Sequence, residues 1–334
     1  MNKHILVYSE NPQVGGVAEY NHQLLCCLGK AGYQVTSVQS RYSGLKLELE
    51  ESLGVNHIWL DFDAARNFEV SLKDFANPQN LFKTIKPDLI FFSDGWVMSD
   101  FAAKRAAKSL RIPYMIVLGI VDPYNHKFTH NNDGINYNKT LTELYQGSEK
   151  VIAVSQENLN LLVDLYGLPQ DKGKVIHYGR PSQFFQPQNQ AVRRRLRTEL
   201  EIPESAIVCL TTARFTNLKG YEYLIEAIND LRQDRICWKD LYFLWVGGGD
   251  SGDDLRPYFE EIIDGLGIGE RVRIIAGRTD MPDILDASDI FVLSSKLEGM
   301  PLSIMEAMGK ALPVVASAVS GIPEETGQYG STFT

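Results

Sequence analysis

Short, nearly all-apolar runs alternate with amphipathic stretches along almost the whole chain. In the first half the apolar runs are HILVYSE (4–10), YQVTSVQ (33–39), DLIFFSD (88–94), PYMIVLG (113–119), KVIAVS (150–155) and KVIHYG (174–179). Helical patterns lie between them, as in VAEYNHQLLCCLGKAG (17–32) and SDFAAKRAAKSLR (99–111). Apolar runs without polar alternation indicate strands covered on both faces, which is the condition of a parallel sheet flanked by helices. The pattern predicts a doubly wound parallel α/β domain.

Residues 181–192, PSQFFQPQNQAV, interrupt this rhythm and read as a linker. A short helical stretch, RRRLRTEL, follows, and the alternation restarts with strands predicted at 206–212, 241–247, 271–277, 289–295 and 312–317. Two tandem α/β domains are expected, 1–183 and 184–334, both of ordinary domain size. There is no internal repeat. The second domain has fewer elements than the first and runs out through LPVVAS, SGIPEETG and QYGSTFT, so it is expected to be incomplete at its end.

With 334 residues, 44% hydrophobic and 22% charged, the composition is that of a globular protein able to bury two cores. A net charge of −9 argues against a nucleic-acid partner. The charge is uneven: residues 1–185 hold 18 Lys and Arg against 19 Asp and Glu, a net of −1, which leaves −8 for the remainder. The first half is therefore better suited to an anionic surface. Its helix KRAAKSLR (104–111), with Lys104 and Lys108 on one face, gives a weak basis for peripheral contact with the inner membrane surface. A solvated helix face is the simpler reading. Cys26, Cys27, Cys209 and Cys237 form no CxxC pair, no His stands at metal-ligand spacing from them, and free thiols are expected. No apolar run approaches 18 residues, and the N-terminus enters a strand directly, so a cytoplasmic location is expected.

The densest chemistry is in EGMPLSIME (298–306), which follows the strand DIFVLSS and opens a helix, with Pro301 suited to its first turn. A strand, tight loop and helix aim free backbone N–H groups at an anion. Glu298 and Glu306 are acceptor-only groups that would repel phosphate itself. They suit neutral hydroxyls beside a phosphate, as in a nucleotide sugar. The alternative is a loop Glu and a solvated helix Glu placed for dipole reasons.

Other strand ends carry matching signals. Arg214 and Lys219 flank the loop after AIVCLTT, where both cations can converge on one diphosphate, or stand solvated on the surface. Gly248 belongs to a glycine run after LYFLWV that would let a nucleobase or ribose approach, or serve only as a turn. Arg278 follows RVRIIAG as another strand-end cation. In the first domain Gly15 and Gly16 stand where the first strand hands over to a helix. The Gly15-Gly16 loop is not GxGxxG, and no acidic residue follows it at a dinucleotide-like offset, which disfavours a nicotinamide dehydrogenase.

Taken together, R-x4-KG, the Gly-rich loop, EGMPLSIMEAMGKALPVVAS and SGIPE resemble the family-4 group of retaining nucleotide-sugar glycosyltransferases, whose hallmark is E-x7-E. The resemblance extends from Gly15-Gly16 to Pro323-Glu324. It implies the GT-B fold, two Rossmann-like domains facing a central cleft, with the donor side in the second. It implies that Arg214 and Lys219 neutralise the donor diphosphate as it leaves. The N–H groups of Met300 to Leu302, in the Gly299–Pro301 loop, would bind phosphate. Glu306 would hold the ribose, Glu298 the transferred sugar, and Gly16 would approach the diphosphate as the cleft closes. The implied donor is a UDP- or GDP-sugar. The acceptor is a glycan, a lipid or a small molecule. No cofactor or metal is required, although Asp253-Asp254 is an adjacent acidic pair.

One departure concerns the first domain. Relatives in this family often carry a His after the strand matching IPYMIVLG, where this chain has Gly119 in LGIVDPYNH. Asp122 and His126, or else His130, are the polar groups left to serve the acceptor side. Two further readings remain at this point: a sugar-nucleotide epimerase on the same fold, and a nucleotide-sugar or glycan-binding module without activity.

Overall fold

The computed structural model describes residues 3–10, 15–40, 47–62, 67–124, 134–234, 238–248 and 254–333. Contacts divide the chain into two units, Met1–Tyr178 and Gly179–Thr334.

The first unit is built on β1 (His4–Ser9), β2 (Gln34–Ser40), β3 (Val55–Leu60), β4 (Leu89–Trp96), β5 (Tyr114–Ile120), β6 (Lys150–Ala153) and β7 (Gly173–Val175). Among the described residues they form one parallel sheet in the order β3-β2-β1-β4-β5-β6-β7. Leu6, Tyr8, Ile90, Phe92, Ile116 and Leu118 are buried on it, packed with Phe101, Ala103, Ala106 and Leu141 from the helices. The order reverses between β1 and β4, so the crevice beyond their C-terminal ends is the switch point where open α/β sheets place ligands. The β3 strand, VNHIWL, escapes the apolar pattern because it is an edge strand: only Val55 is buried.

The Phe101–Ser109 helix corrects the reading of a basic face. Its Ala102, Ala103, Lys104, Ala106 and Ala107 are all buried, and Lys104 pairs with Asp94 inside the unit. Of the two lysines Lys108 is the exposed one, and it pairs with Glu143 at 3.0 Å. Lys104 therefore contributes nothing to a membrane-facing patch.

The second unit contains β8 (Ile207–Thr212), β9 (Leu241–Gly247), β10 (Val272–Ala276), β11 (Ile290–Leu293), β12 (Val314–Ser317) and β13 (Ser331–Phe333). The described sheet runs β10-β9-β8-β11-β12-β13, all parallel, and reverses between β8 and β11. The three-residue β13 is exposed throughout and carries no apolar run to announce it. The proposed linker is more ordered than its composition suggests. Ser182–Phe185 forms a 3-10 turn with Phe184 buried, and the next helix, Gln190–Glu199, starts inside the stretch, capped by Asn189. That helix is anchored by Arg197, 1% exposed, whose guanidinium donates to the carbonyls of Ala287, Glu204 and Ala206 and to the Asp289 carboxylate. No helix among the described residues is long and apolar enough to cross a membrane.

Candidate functional site

In the second unit β8 ends at Thr212, and the chain passes Arg214 into the 3-10 turn Asn217–Lys219. Gly220 follows at φ 63°, and a Cβ there would lie 2.1 Å from the Ser294 carbonyl oxygen. Only glycine allows both the left-handed backbone and this approach. The approach is then fastened: Ser294 Oγ donates to the Lys219 and Gly220 carbonyls at 3.1 and 2.8 Å, and the Lys296 N–H donates to Leu218 O at 2.8 Å. The loops after β8 and β11, the two sides of the switch point, are stitched together.

Across that seam the Lys219 ammonium donates to Glu298 Oε1, which also accepts from Ser295 Oγ at 2.6 Å. Glu298 is buried at 5% exposure, so its charge is met by a cation and a hydroxyl rather than by water. A third loop clamps the motif from the other side, with Glu298 N–H on Ser320 Oγ at 3.3 Å and Gly321 N–H on Gly299 O at 3.1 Å.

The helix that follows is Leu302–Gly309, and Pro301 is its N-cap residue at φ −70°, ψ 117° rather than a member of its first turn. Proline has no N–H, so Pro301 drops out of the expected anion donors. The amides of Leu302 and Ser303 open the helix without a carbonyl partner one turn back within it, and Met300 precedes them. One turn along the helix, Glu306 is buried, and its Oε1 accepts from Arg180 Nη2 at 2.6 Å. Arg180 also stacks over the Phe184 ring, 4.5 Å from its centroid. Both motif carboxylates thus carry a cationic partner, Lys219 half-buried and Arg180 with its side chain largely buried. Arg180 had no assigned role in the sequence; its only signal was an aromatic residue four positions later.

A third carboxyl completes the cluster. Glu325, on the Ile322–Thr326 helix, buries both carboxyl oxygens, with no side chain among the described residues hydrogen-bonded to them. Burial first, and the nearby Glu298 charge second, push its pKa up to about 9, with only the Met305 amide opposing them. It is a neutral acid at pH 7.

The remaining sequence candidates fall in different places. Arg214 is exposed, and its side chain has no ion pair among the described residues. Arg278 is committed elsewhere: Nε and Nη2 donate to Asp280 at 2.8 and 2.7 Å, and Nη1 to Glu199 at 2.8 Å, contacts that push its pKa further up. The structure does not gather it with Lys219 and Glu298. Gly248 follows β9 beneath Arg256, which donates to Gly247 O at 3.1 Å and stacks on Phe215. Arg256 is thus a strand-end cation that the sequence reading missed. Asp254 caps the Arg256 N–H at 3.0 Å, while Asp253 lies outside the described residues.

In the first unit Gly15 is the N-cap of the Gly16–Lys30 helix at φ 122°, and both glycines are exposed. A Cβ at Gly119 would sit 3.3 Å from Gly95 O and 3.4 Å from Tyr178 Oη, which leaves little room for a larger side chain. The fully buried Asn158 braces this turn, accepting from Val121 N–H at 3.3 Å and donating to Gly119 O at 3.0 Å. Asp122 accepts from Tyr124 N–H at 2.8 Å; His126 and His130 lie outside the described residues. One spacing was overlooked: His22 stands a turn before Cys26, whose Sγ is 3.8 Å from Nε2, and its Nδ1 meets Glu50 at 2.6 Å. Even so, no group of three or more His, Cys, Asp or Glu among the described residues is arranged to hold a metal ion.

Comparison with known proteins agrees with this layout. Residues 14–183 match Glycosyltransferase Family 4, and residues 206–334 match Glycosyl transferases group 1. Over 333 aligned residues the chain is 25% identical to mannosylfructose-phosphate synthase of Agrobacterium fabrum, covering 92% of this chain and 72% of that protein. It is 29% identical to D-inositol 3-phosphate glycosyltransferase of Streptomyces coelicolor over 54% of this chain, and spans only 43% of that relative's length. Among solved structures, Anabaena HepE in complex with UDP and glucose superposes with a TM-score of 0.76 at 21% identity, covering 100% of this chain and 86% of that one. Sucrose-phosphate synthase from Thermosynechococcus elongatus gives 0.76 at 20% identity, covering 99% and 86%. The fold is GT-B, and the chain belongs to Glycosyltransferase Family 4.

Proposed function

We propose that this chain transfers a sugar from a nucleoside-diphosphate sugar to an acceptor hydroxyl with retention of anomeric configuration, and that the second unit holds the donor. One observation carries the reading. Two buried carboxylates flank the start of a single helix, each on its own cation, while Arg214 stands unpaired at the neighbouring strand end. Such a set is balanced for a ligand that brings both a dianion and neutral hydroxyls.

The donor diphosphate draws Lys219 from Glu298 and adds Arg214, and the Leu302 and Ser303 amides meet its oxygens at the positive end of the helix. Glu298, released, accepts hydroxyls of the transferred sugar, and Glu306 accepts those of the ribose. Breaking the anomeric C–O bond leaves negative charge on the diphosphate and positive charge on the sugar ring. Fixed cations stand where the first develops and a carboxylate where the second does. The leaving phosphate takes the acceptor's proton on the same face of the sugar, so no protein nucleophile is needed and configuration is retained. Arg214 and Lys219 supply the charge that a divalent metal supplies elsewhere. UDP-glucose is the first donor to try, because UDP and glucose are the ligands named for HepE.

The test is a thermal-shift screen of UDP, GDP, ADP and their sugars, followed by product analysis in EDTA. A nucleotide at a hundred times its dissociation constant raises stability by about 2.7 kcal/mol. An NMR anomeric signal matching the donor's configuration supports retention, and an inverted product overturns it. If no nucleotide shifts the melting curve, the donor assignment fails.

A further inference from the structure

We infer that Arg180 is a positioning residue that fixes Glu306 to read the ribose hydroxyls of a nucleoside diphosphate, an inference that rests on the donor-site reading above. Arg180 lies in the segment GRPSQFF, ahead of the second unit's first helix, and is brought to Glu306 by a specific packing device. Gly309 is three residues beyond Glu306 on the same helix. A Cβ at that position would meet the Phe184 carbonyl oxygen at 2.7 Å and the Phe185 ring at 3.1 Å. The absence of a side chain lets the 3-10 turn Ser182–Phe185 lie directly on the helix. Phe184 then presents its ring to the guanidinium at 4.5 Å, and the guanidinium reaches Glu306 at 2.6 Å. Arg180 and Glu306 have side chains 7% and 10% exposed.

A buried ion pair is weak evidence of a purely stabilising role, since apolar side chains of similar size commonly stabilise as well. Its distinctive effect is geometric. A guanidinium held by a ring face on one side fixes the orientation of the carboxylate. A vicinal diol offers two O–H donors and needs an ionised, acceptor-only partner in a set position. Without Arg180, Glu306 would be free to turn away, and its ability to select ribose would fall while the diphosphate contacts remained.

The test compares UDP with 2′,3′-dideoxy-UDP, and GDP with 2′,3′-dideoxy-GDP, by calorimetry. The intact protein is expected to prefer the ribonucleotide by about tenfold or more, the value of a charge-assisted hydrogen bond. Arg180→Gln should bring the ratio close to one by weakening the ribonucleotide alone. Arg180→Lys should fall between. Gly309→Ala, which displaces the turn without touching a charge, should lower the ratio in the same direction. Each variant is compared at a temperature where its melting curve shows it folded, and Arg180→Lys carries the comparison if Arg180→Gln does not fold. An equal preference in the intact protein and the folded variants would overturn the inference and leave the donor site standing, as would a native protein that binds both nucleotides alike. If the native protein binds none of UDP, GDP and ADP, the donor-site reading itself is wrong and the inference falls with it; if ADP alone binds, the same comparison is made with 2′,3′-dideoxy-ADP.

Discussion

Lys219 and Glu298, 79 positions apart, form an ion pair across the seam between the loops after β8 and β11. The pair holds a cation and a carboxylate within reach of one another while leaving either free to exchange partners. Lys219→Ala removes the cation and strands a buried carboxylate, so two losses are expected together. Stability should fall by about 3 kcal/mol, the cost typical of breaking one side of a buried pair. Donor turnover should fall by about 10² to 10³, as when one charge-stabilising donor is removed. Lys219→Met with Glu298→Gln should recover most of the stability and none of the turnover. Denaturant melts and donor-hydrolysis rates on the single and double variants separate the two effects. A double variant as unstable as Lys219→Ala would show that the pair is not what holds the seam.

Arg214 gives the contrasting case. It is exposed and unpaired among the described residues, so nothing in the fold depends on its charge. Arg214→Ala is expected to lower donor turnover by about 10² while the melting temperature stays within about one degree, since exposed substitutions away from such contacts change stability by less than ~0.5 kcal/mol. Activity retained near the native level would remove Arg214 from the diphosphate site.

The sequence showed the two α/β units because their strands are covered on both faces, and near-continuous apolar runs are the direct imprint of that burial. Two edge strands leave no such imprint: β3 buries Val55 and β13 buries nothing, so neither stands out, whereas the edge strands β7 and β10 do carry apolar runs. Glu298, Glu306, Arg214 and Lys219 were legible because chain order puts them at strand ends and helix starts, where their chemistry is recognisable. Arg180 was not, because its role comes from contact with Phe184 and Glu306 across a glycine, which no spacing along the chain encodes. Arg278 failed in the opposite way: a strand-end cation looks available until Asp280 and Glu199 are seen to hold it. Lys104 was read as a surface charge because helical periodicity shows which residues share a face and not which face is buried.

The interior of the first unit makes a separate prediction. Glu10, Asp94 and Asp100 are all buried around Lys104, three carboxyls to one ammonium. Burial raises the pKa of Glu10 to about 7, and burial together with Glu10 and Asp94 raises that of Asp100. Lys104 opposes these shifts, so Lys104→Met should cost about 3 to 5 kcal/mol, as for a buried pair with one side removed. The cost should grow as pH rises from 5 to 8, because ionisation of the remaining carboxyls then lacks its cation. Urea midpoints at several pH values measure this, and a cost independent of pH would mean that Lys104 acts only through packing.

Glu325 adds a titration that can be read from stability alone. Its carboxyl has a folded pKa of about 9 against an ordinary value of 4.5, so between those values the folded chain holds a proton that the unfolded chain has released. Stability contributed by the neutral acid is fully present below about 4.5 and is lost as pH rises towards 9, with a slope of up to ~1.4 kcal/mol per pH unit. Glu325→Gln keeps the shape and the neutral state and removes the titration. The variant should match the native protein near pH 4 and become progressively more stable than it towards pH 9. Nucleotide affinity should hold through this range and fall only as pH nears 9, because an ionised Glu325 beside Glu298 would place two uncompensated negative charges near the diphosphate once Lys219 has moved to it. Parallel urea midpoints from pH 4 to 9 for the two proteins would show that Glu325 ionises at an ordinary pKa and that its buried oxygens find partners in solution.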